Sequence, residues 1–198
     1  MNTRQPTPGP IPRQARNRIT LLAIAVLFLG TFVVAGVLRF SGWRPAGTRN
    51  HGTLLAPPGD LRRVSLATVE GAVYPWAPIE RRWRLLVAPA ADCGVACVKL
   101  ARDLDTVWQL SGRDADRVDI LWAGPVPADA VRGVAFREVR VDPALRAGLP
   151  GLDDGASDGV AGPPVYVVDP NGFVILRYAA GFDPGHLRQD LGRLLRLK

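Results

Sequence analysis

The stretch Trp83-Arg84-Leu85-Leu86-Val87-Ala88-Pro89-Ala90-Ala91-Asp92-Cys93-Gly94-Val95-Ala96-Cys97 decides how this chain is read. Its first half is a nearly continuous apolar run, of the length and kind buried in the middle of a sheet. Its second half holds the only two cysteines of the sequence and opens an amphipathic run. From Cys97 onward, Ala101, Leu104 and Trp108 recur at spacings of three and four, with Leu100, Val107 and Leu110 widening the stripe. Arg102, Asp103 and Asp105 fall toward the opposite face, so the run Val98 to Leu110 predicts a packed helix. Two thiols where a strand passes into a helix point to redox or soft-metal chemistry. The unsatisfied amides and the dipole at a helix N-terminus favour the thiolate over the thiol. Cys93, ahead of the helix, is the expected attacking thiol, and Cys97, about one turn on, the resolving one. A static disulfide is the alternative; closing so short a loop, it restricts the unfolded chain only modestly. Asp92 reads as a helix N-cap before it reads as a proton acceptor for Cys93.

Downstream the alternation continues. Arg117 to Ala123 reads as a strand, Pro127 to Arg132 as a short crossover, Phe136 to Val141 as a more exposed strand and Pro143 to Gly148 as a brief helix. Leu152 to Gly162 is an Asp- and Gly-rich loop whose Asp153, Asp154 and Asp158 lack the spacing of a calcium loop. Val165 to Val168 and Phe173 to Tyr178 predict two strands joined by the turn Asp169-Pro170-Asn171-Gly172. Pro184 to Lys198 brings Leu187, Leu191, Leu194 and Leu195 onto one side of a terminal helix, with Pro184 in its first turn. Trp76, Trp83, Trp108 and Trp122 read as packing residues.

Upstream, Val64 to Thr68 and Gly71 to Tyr74 read as a short hairpin turning at Glu70-Gly71. Before it, residues 41–60 read as a linker, because Asn50-His51-Gly52 and Pro57-Pro58-Gly59 are turn formers. Ile19 to Leu38 is twenty residues without a charge, long enough as a helix to cover the roughly 30 Å hydrocarbon core. It ends at Arg39-Phe40-Ser41-Gly42-Trp43, an interfacial pattern, rather than at a small-residue cleavage site. The expected organisation is therefore a disordered cytoplasmic leader over 1–18, a transmembrane helix over 19–40, the linker, and a folded domain over 61–198.

Charge separates these parts. The chain of 198 residues carries a formal charge of +7, but residues 1–50 hold seven arginines and no acid, leaving 18 basic and 18 acidic side chains in the rest. A neutral body does not call for a nucleic-acid partner. The short acid-free leader places the N-terminus in the cytoplasm and the body outside, which in a bacterium means an inner-membrane protein with a periplasmic domain. An even number of cysteines suits that oxidising compartment.

The order of strands and helices gives an α/β fold with a central mixed sheet flanked by helices, and a hairpin before the last helix matches a thioredoxin-like plan. Over residues 61–198 the chain resembles the Sco/SenC group of thioredoxin-like proteins. The resemblance lies in Cys93-x-x-x-Cys97, in Gly162-Pro163-Pro164-Val165, similar to the loop that carries a cis-proline facing the dithiol, and in Val165-Tyr166-Val167-Val168-Asp169-Pro170-Asn171-Gly172, similar to the family's Y-L-x-D-P-x-G. The resemblance implies assembly of the copper centre of cytochrome c oxidase, with Cys93 and Cys97 as thiol–disulfide groups, Cu(I) ligands or both. An oxidase subunit or another respiratory assembly factor would be the partner. It also implies a histidine about five residues before the tyrosine, where this chain has Ala161. The two histidines present, His51 and His186, read as a linker residue and a solvated helix residue. Two thiolates suit Cu(I), and disulfide exchange needs no histidine. A scaffold with a structural disulfide is the remaining alternative.

Overall fold

The structure is a computed structural model that describes residues 13–41, 49–90, 93–152 and 162–196. It divides into two compact units, Met1–Thr48 and Arg49–Lys198. In the first, α1 spans Arg13–Phe40, and its stretch Arg16–Phe40 is long and apolar enough to cross a membrane. The hydroxyls of Thr20 and Thr31 donate to the carbonyls of Arg16 and Phe28, at 2.9 and 2.7 Å, so neither needs an outside partner. Such a helix fits a single-pass anchor.

The second unit is built on a six-stranded mixed sheet. Its strands are β1 (Thr53–Asp60), β4 (Trp83–Val87), β5 (Val118–Ala123), β6 (Phe136–Val139), β7 (Val165–Val168) and β8 (Phe173–Tyr178), while β2 (Leu66–Ala67) and β3 (Val73–Tyr74) form a separate hairpin. The order is β1-β8-β7-β4-β5-β6. Strand β4 pairs in parallel with β5 and antiparallel with β7, which places the strand leading to the cysteines in the centre. The helices are α2 (Gly94–Gln109), α3 (Pro143–Ala147) and α4 (Pro184–Leu194).

The alternation of side chains along β4 divides the core. Trp83, Leu85 and Val87 face the cluster that holds Cys97, Leu104, Leu187 and Leu191, from α2 and α4. Leu86 faces the cluster of Leu61, Tyr74, Leu145 and Tyr166 on the other side. Both faces are covered, as the thioredoxin-like plan requires. The helical stripe is buried at Cys97, Leu100, Ala101, Leu104 and Val107 and half-buried at Trp108, but Leu110 is exposed because α2 ends at Gln109 and the chain turns away.

The β7–β8 turn forms as its sequence predicts. Asp169 accepts hydrogen bonds from the amides of Asn171 and Phe173, at 2.9 and 2.7 Å. Gly172 has φ +96° and sits so close to Arg62 that a side chain would crowd it.

Two expectations need correction. Residues 53–60 lie within the expected linker, yet they form the edge strand β1 along β8. The register shifts between Leu54 and Gly59, so Pro57 and Pro58 occupy a bulge on an edge, where their missing amides cost no ladder hydrogen bond. The loop Gly162-Pro163-Pro164-Val165 contains no cis-proline. Among the described residues the one cis peptide bond is Ala56–Pro57, and the loop turns at Gly162 with φ +121°, where glycine is at ease.

Candidate functional site: the dithiol at the head of α2

Strand β4 delivers the chain to the cysteines, and α2 begins immediately after the first of them. Cys93 is the residue preceding the helix; its side chain caps no amide, and its own N–H donates to the Ala90 carbonyl at 3.4 Å. Gly94 takes φ +48° at the first helical position, a conformation a β-carbon would strain. That turn brings the two thiols together as a disulfide, with S–S 2.02 Å and Cα–Cα 5.5 Å. The two sulfurs are not equivalent. Cys97 is 0% exposed within the core cluster, whereas Cys93 is only partly buried against it. Of the two cysteines, Cys93 is the one open to solvent.

Along the first turns of α2 lies a cleft of about 330 Å³, lined on one side by Val95, Ala96 and Leu100 and on the other by Gly162, Pro163 and Phe182. A β-carbon on Gly162 would come within 3.6 Å of the Ala96 side chain, so the loop singled out in the sequence does face the dithiol helix. Val95, between the cysteines, is 86% exposed. Lys99 and Asp103 also line the cleft and pair with each other at 2.6 Å, leaving its polar side neutral.

Among the described residues, no three His, Cys, Asp or Glu side chains converge as a metal site. Neither histidine completes a three-ligand centre with the sulfurs. The structure brings the two histidines to each other instead: the rings of His51 and His186 stack in parallel, 4.0 Å between centroids and 3° between planes. Asp92, Ala161 and the loop acids Asp153, Asp154 and Asp158 lie outside the described residues.

Sequence reading missed the polar groups that hold the frame. Arg84, inside the apolar run of β4, is 0% exposed. Its guanidinium donates to the Tyr74 hydroxyl at 3.0 Å, to the carbonyls of Arg82, Asp169 and Pro170 at 2.8, 3.3 and 3.2 Å, and to that of Trp76. Tyr74 in turn donates to Asp119 at 2.6 Å. A second pair, Tyr178 and Asp190, repeats the contact at 2.6 Å beside α4. Burial, and then the hydrogen bond to the neighbouring carboxylate, push both phenols up, Tyr74 to about 12. The one sequence signal for this network was a lone charge at Arg84 in a strand buried on both faces.

Residues 83–198 match the family described as transmembrane-like, thioredoxin-like, C-terminal domain. Among solved structures, the apo Sco1 protein from Thermus thermophilus is 16% identical with a TM-score of 0.50, covering 78% of this chain and 100% of that one. ScoI of Bradyrhizobium japonicum, solved with copper bound, is 17% identical with a TM-score of 0.45, covering 72% and 98%. Peroxiredoxin Q of Xanthomonas campestris is 15% identical with a TM-score of 0.42, covering 74% and 97%. At these identities the likeness is one of fold. No curated protein matches the chain.

Proposed function

The chain belongs to the transmembrane-like, thioredoxin-like C-terminal domain family, and within it we propose a membrane-held, Sco-like thiol–disulfide exchange protein that acts through Cys93 and Cys97 in respiratory assembly. The carrying observation is the asymmetry of the pair, a partly buried Cys93 at a helix N-terminus beside a fully buried Cys97. In the reduced state the Cys93 thiolate attacks a client disulfide, forming a mixed disulfide and releasing one client thiolate. Cys97 loses its proton to solvent and displaces the second client sulfur. The client leaves as a dithiol, and the protein is left with the closed Cys93–Cys97 disulfide, which a dithiol reductant reopens. The proposed client is a cytochrome c oxidase subunit, or another respiratory assembly factor, reached from the bacterial inner membrane with the domain in the periplasm.

The test is the reduction potential of the pair in the full chain, with trapping of the intermediate. Exchange with glutathione at a potential above about −300 mV is expected, and Cys97→Ser should accumulate a mixed disulfide on Cys93. A lower potential with no exchange would mark a static bridge and overturn the proposal.

The same pair supports a second reading, with Cu(I) as cargo. Reduced, Cys93 and Cys97 offer two thiolates, a donor set that fits Cu(I), while Cu(II) would want a nitrogen that the described residues do not supply. One Cu(I) per reduced molecule, lost in Cys93→Ser, is the expected result. Uptake no greater than that of the double serine variant would remove copper from the proposal and leave exchange standing.

A further inference from the structure

At the opposite end of α2 from the cysteines, the chain turns through Gly112–Arg117 and meets the last turns of α4. A second cleft, of about 220 Å³, opens there, and Arg113, Arg188 and Arg196 line it. The one acid in its lining, Asp114, is already shared between Arg113 at 3.8 Å and Arg117 at 3.6 Å. The side chains of Arg188 and Arg196 have no hydrogen-bond or ion-pair partner among the described residues.

Arginines near helix C-termini ordinarily offset the partial negative charge of the last carbonyls. Here other groups meet those carbonyls. In α2, the Thr106, Val107 and Trp108 carbonyls accept from the Leu110 amide, the Ser111 hydroxyl and the Ser111 amide, at 2.9, 3.0 and 3.0 Å. In α4, the Leu191 and Arg193 carbonyls accept the amides of Leu195 and Arg196 at 2.9 and 3.2 Å, and the Leu195 carbonyl accepts from Arg117 at 2.7 Å. The helix ends therefore do not account for Arg188 and Arg196. Cations gathered around one cleft repel each other, a cost that a bound anion would offset.

We propose that this cleft is a binding site for a phosphate-bearing anion, filled by the headgroup phosphodiester of an anionic phospholipid. Guanidinium groups present paired N–H donors that match phosphate oxygens. Two further features select a lipid over a free ion. Leu110, 61% exposed, lines the same cleft and gives the carbons next to the phosphate an apolar neighbour. Because α1 is long and apolar enough to cross a membrane, lipid headgroups are the phosphates this chain meets at the highest concentration. Gly192 also lines the cleft, and a β-carbon there would meet no atom within 4 Å. The space over that turn of α4 is open because no side chain fills it. None of these features depends on the dithiol.

The test is photo-crosslinking of the full chain, in non-ionic detergent micelles, with phosphatidylglycerol that carries a diazirine beside its headgroup phosphate, followed by peptide mapping. Adducts are expected on residues 110–113 and 188–196, and on the arginine-flanked ends of α1, which serve as an internal reference. Arg188→Gln combined with Arg196→Gln should lower the domain adduct about three- to tenfold against that reference, the range for losing exposed ionic contacts. Gly192→Leu fills the cleft without changing charge and should lower it as well; melting temperatures at or above wild type verify that the variants fold. Inorganic phosphate should displace the domain adduct more than sodium chloride of equal ionic strength. Phosphatidylcholine with the same diazirine should label the domain weakly. Equal labelling by the two lipids, or domain adducts that survive the glutamine substitutions, would overturn the proposal. Displacement by phosphate no greater than by chloride would reduce the cleft to a screened positive patch and overturn it too. No domain adduct, where inorganic phosphate still raises the melting temperature, would assign the cleft to the free ion and overturn the lipid as its ligand.

Discussion

The two ends of β4 solve opposite problems. At its start, Arg84 is sealed in the protein with its guanidinium donating to four carbonyls and a phenol. Beyond its end, the chain presents a partly buried cysteine, an exposed valine and an apolar cleft. The first end gains rigidity because each nitrogen of the buried guanidinium finds an acceptor; leaving any one unmade would carry the desolvation cost without the bond. The second end stays open, and it is where the proposed exchange would bring a client to Cys93. A central strand fixed at one end and open at the other holds the dithiol in a defined place without enclosing it.

The largest expected effect is at the closed end. Arg84→Ala should cost about 3–5 kcal/mol in a denaturant melt, because it takes a donor from the Trp76, Arg82 and Pro170 carbonyls and leaves a cavity in the core. The dithiol potential of the molecules that remain folded should be unchanged. A shift in potential with little loss of stability would show that the two ends are not independent.

Next is the phenol bound to that arginine. Tyr74 is pushed up to about 12 from an ordinary value near 10, so its neutral form is favoured by folding. Its contribution is fully present below about pH 10 and is lost as pH rises through 12, on the order of 2–3 kcal/mol. Tyr178 is also raised and adds to the wild-type slope, so the measurement is the difference between wild type and Tyr74→Phe. Urea melts from pH 9 to 12 should show a smaller alkaline loss in the variant. Parallel slopes would mean that Tyr74 ionises as freely in the folded chain as in the unfolded one.

The open end was legible in the sequence for a physical reason: β4, the cysteines and the stripe of α2 are continuous, and periodicity reports which face of a continuous element is buried. The closed end was not. Arg84 looked like one interruption in an apolar run, and apart from the Arg82 carbonyl its partners arrive from β3, from the segment after it and from the β7–β8 turn, none of them adjacent in sequence. Strand β1 was hidden by Pro57 and Pro58, which signal a turn locally but are tolerated on an edge strand with a bulge. His51 and His186 read as a linker residue and a solvated helix residue; only the seating of residues 51–52 on α4 brings their rings together.

The disulfide itself should matter less to stability than Arg84. It closes a loop of sequence separation 4, and chain entropy assigns so short a loop about 2 kcal/mol at most. Reducing the full chain, or replacing both cysteines by serine, should lower the denaturation midpoint modestly and leave the far-ultraviolet spectrum unchanged, and only the serine variant should lose exchange. A loss as large as that of Arg84→Ala would move Cys93–Cys97 into the structural frame.

The smallest effect on stability, and the most specific effect on function, is expected at Val95. The side chain is 86% exposed, so Val95→Ser removes almost no buried surface and should change the folding free energy by less than about 0.5 kcal/mol. Serine adds no charge beside Cys93, so the reactivity of the sulfur is left alone. What it removes is apolar area at the mouth of the cleft. A client whose cysteine is flanked by an apolar side chain should exchange about three- to tenfold more slowly with the variant, the range expected for losing part of one valine-sized contact. Glutathione, too small and polar to use the cleft, should react at the wild-type rate. Equal slowing of both would place the effect at the sulfur, and no slowing of either would leave Val95 exposed for a reason unrelated to the client.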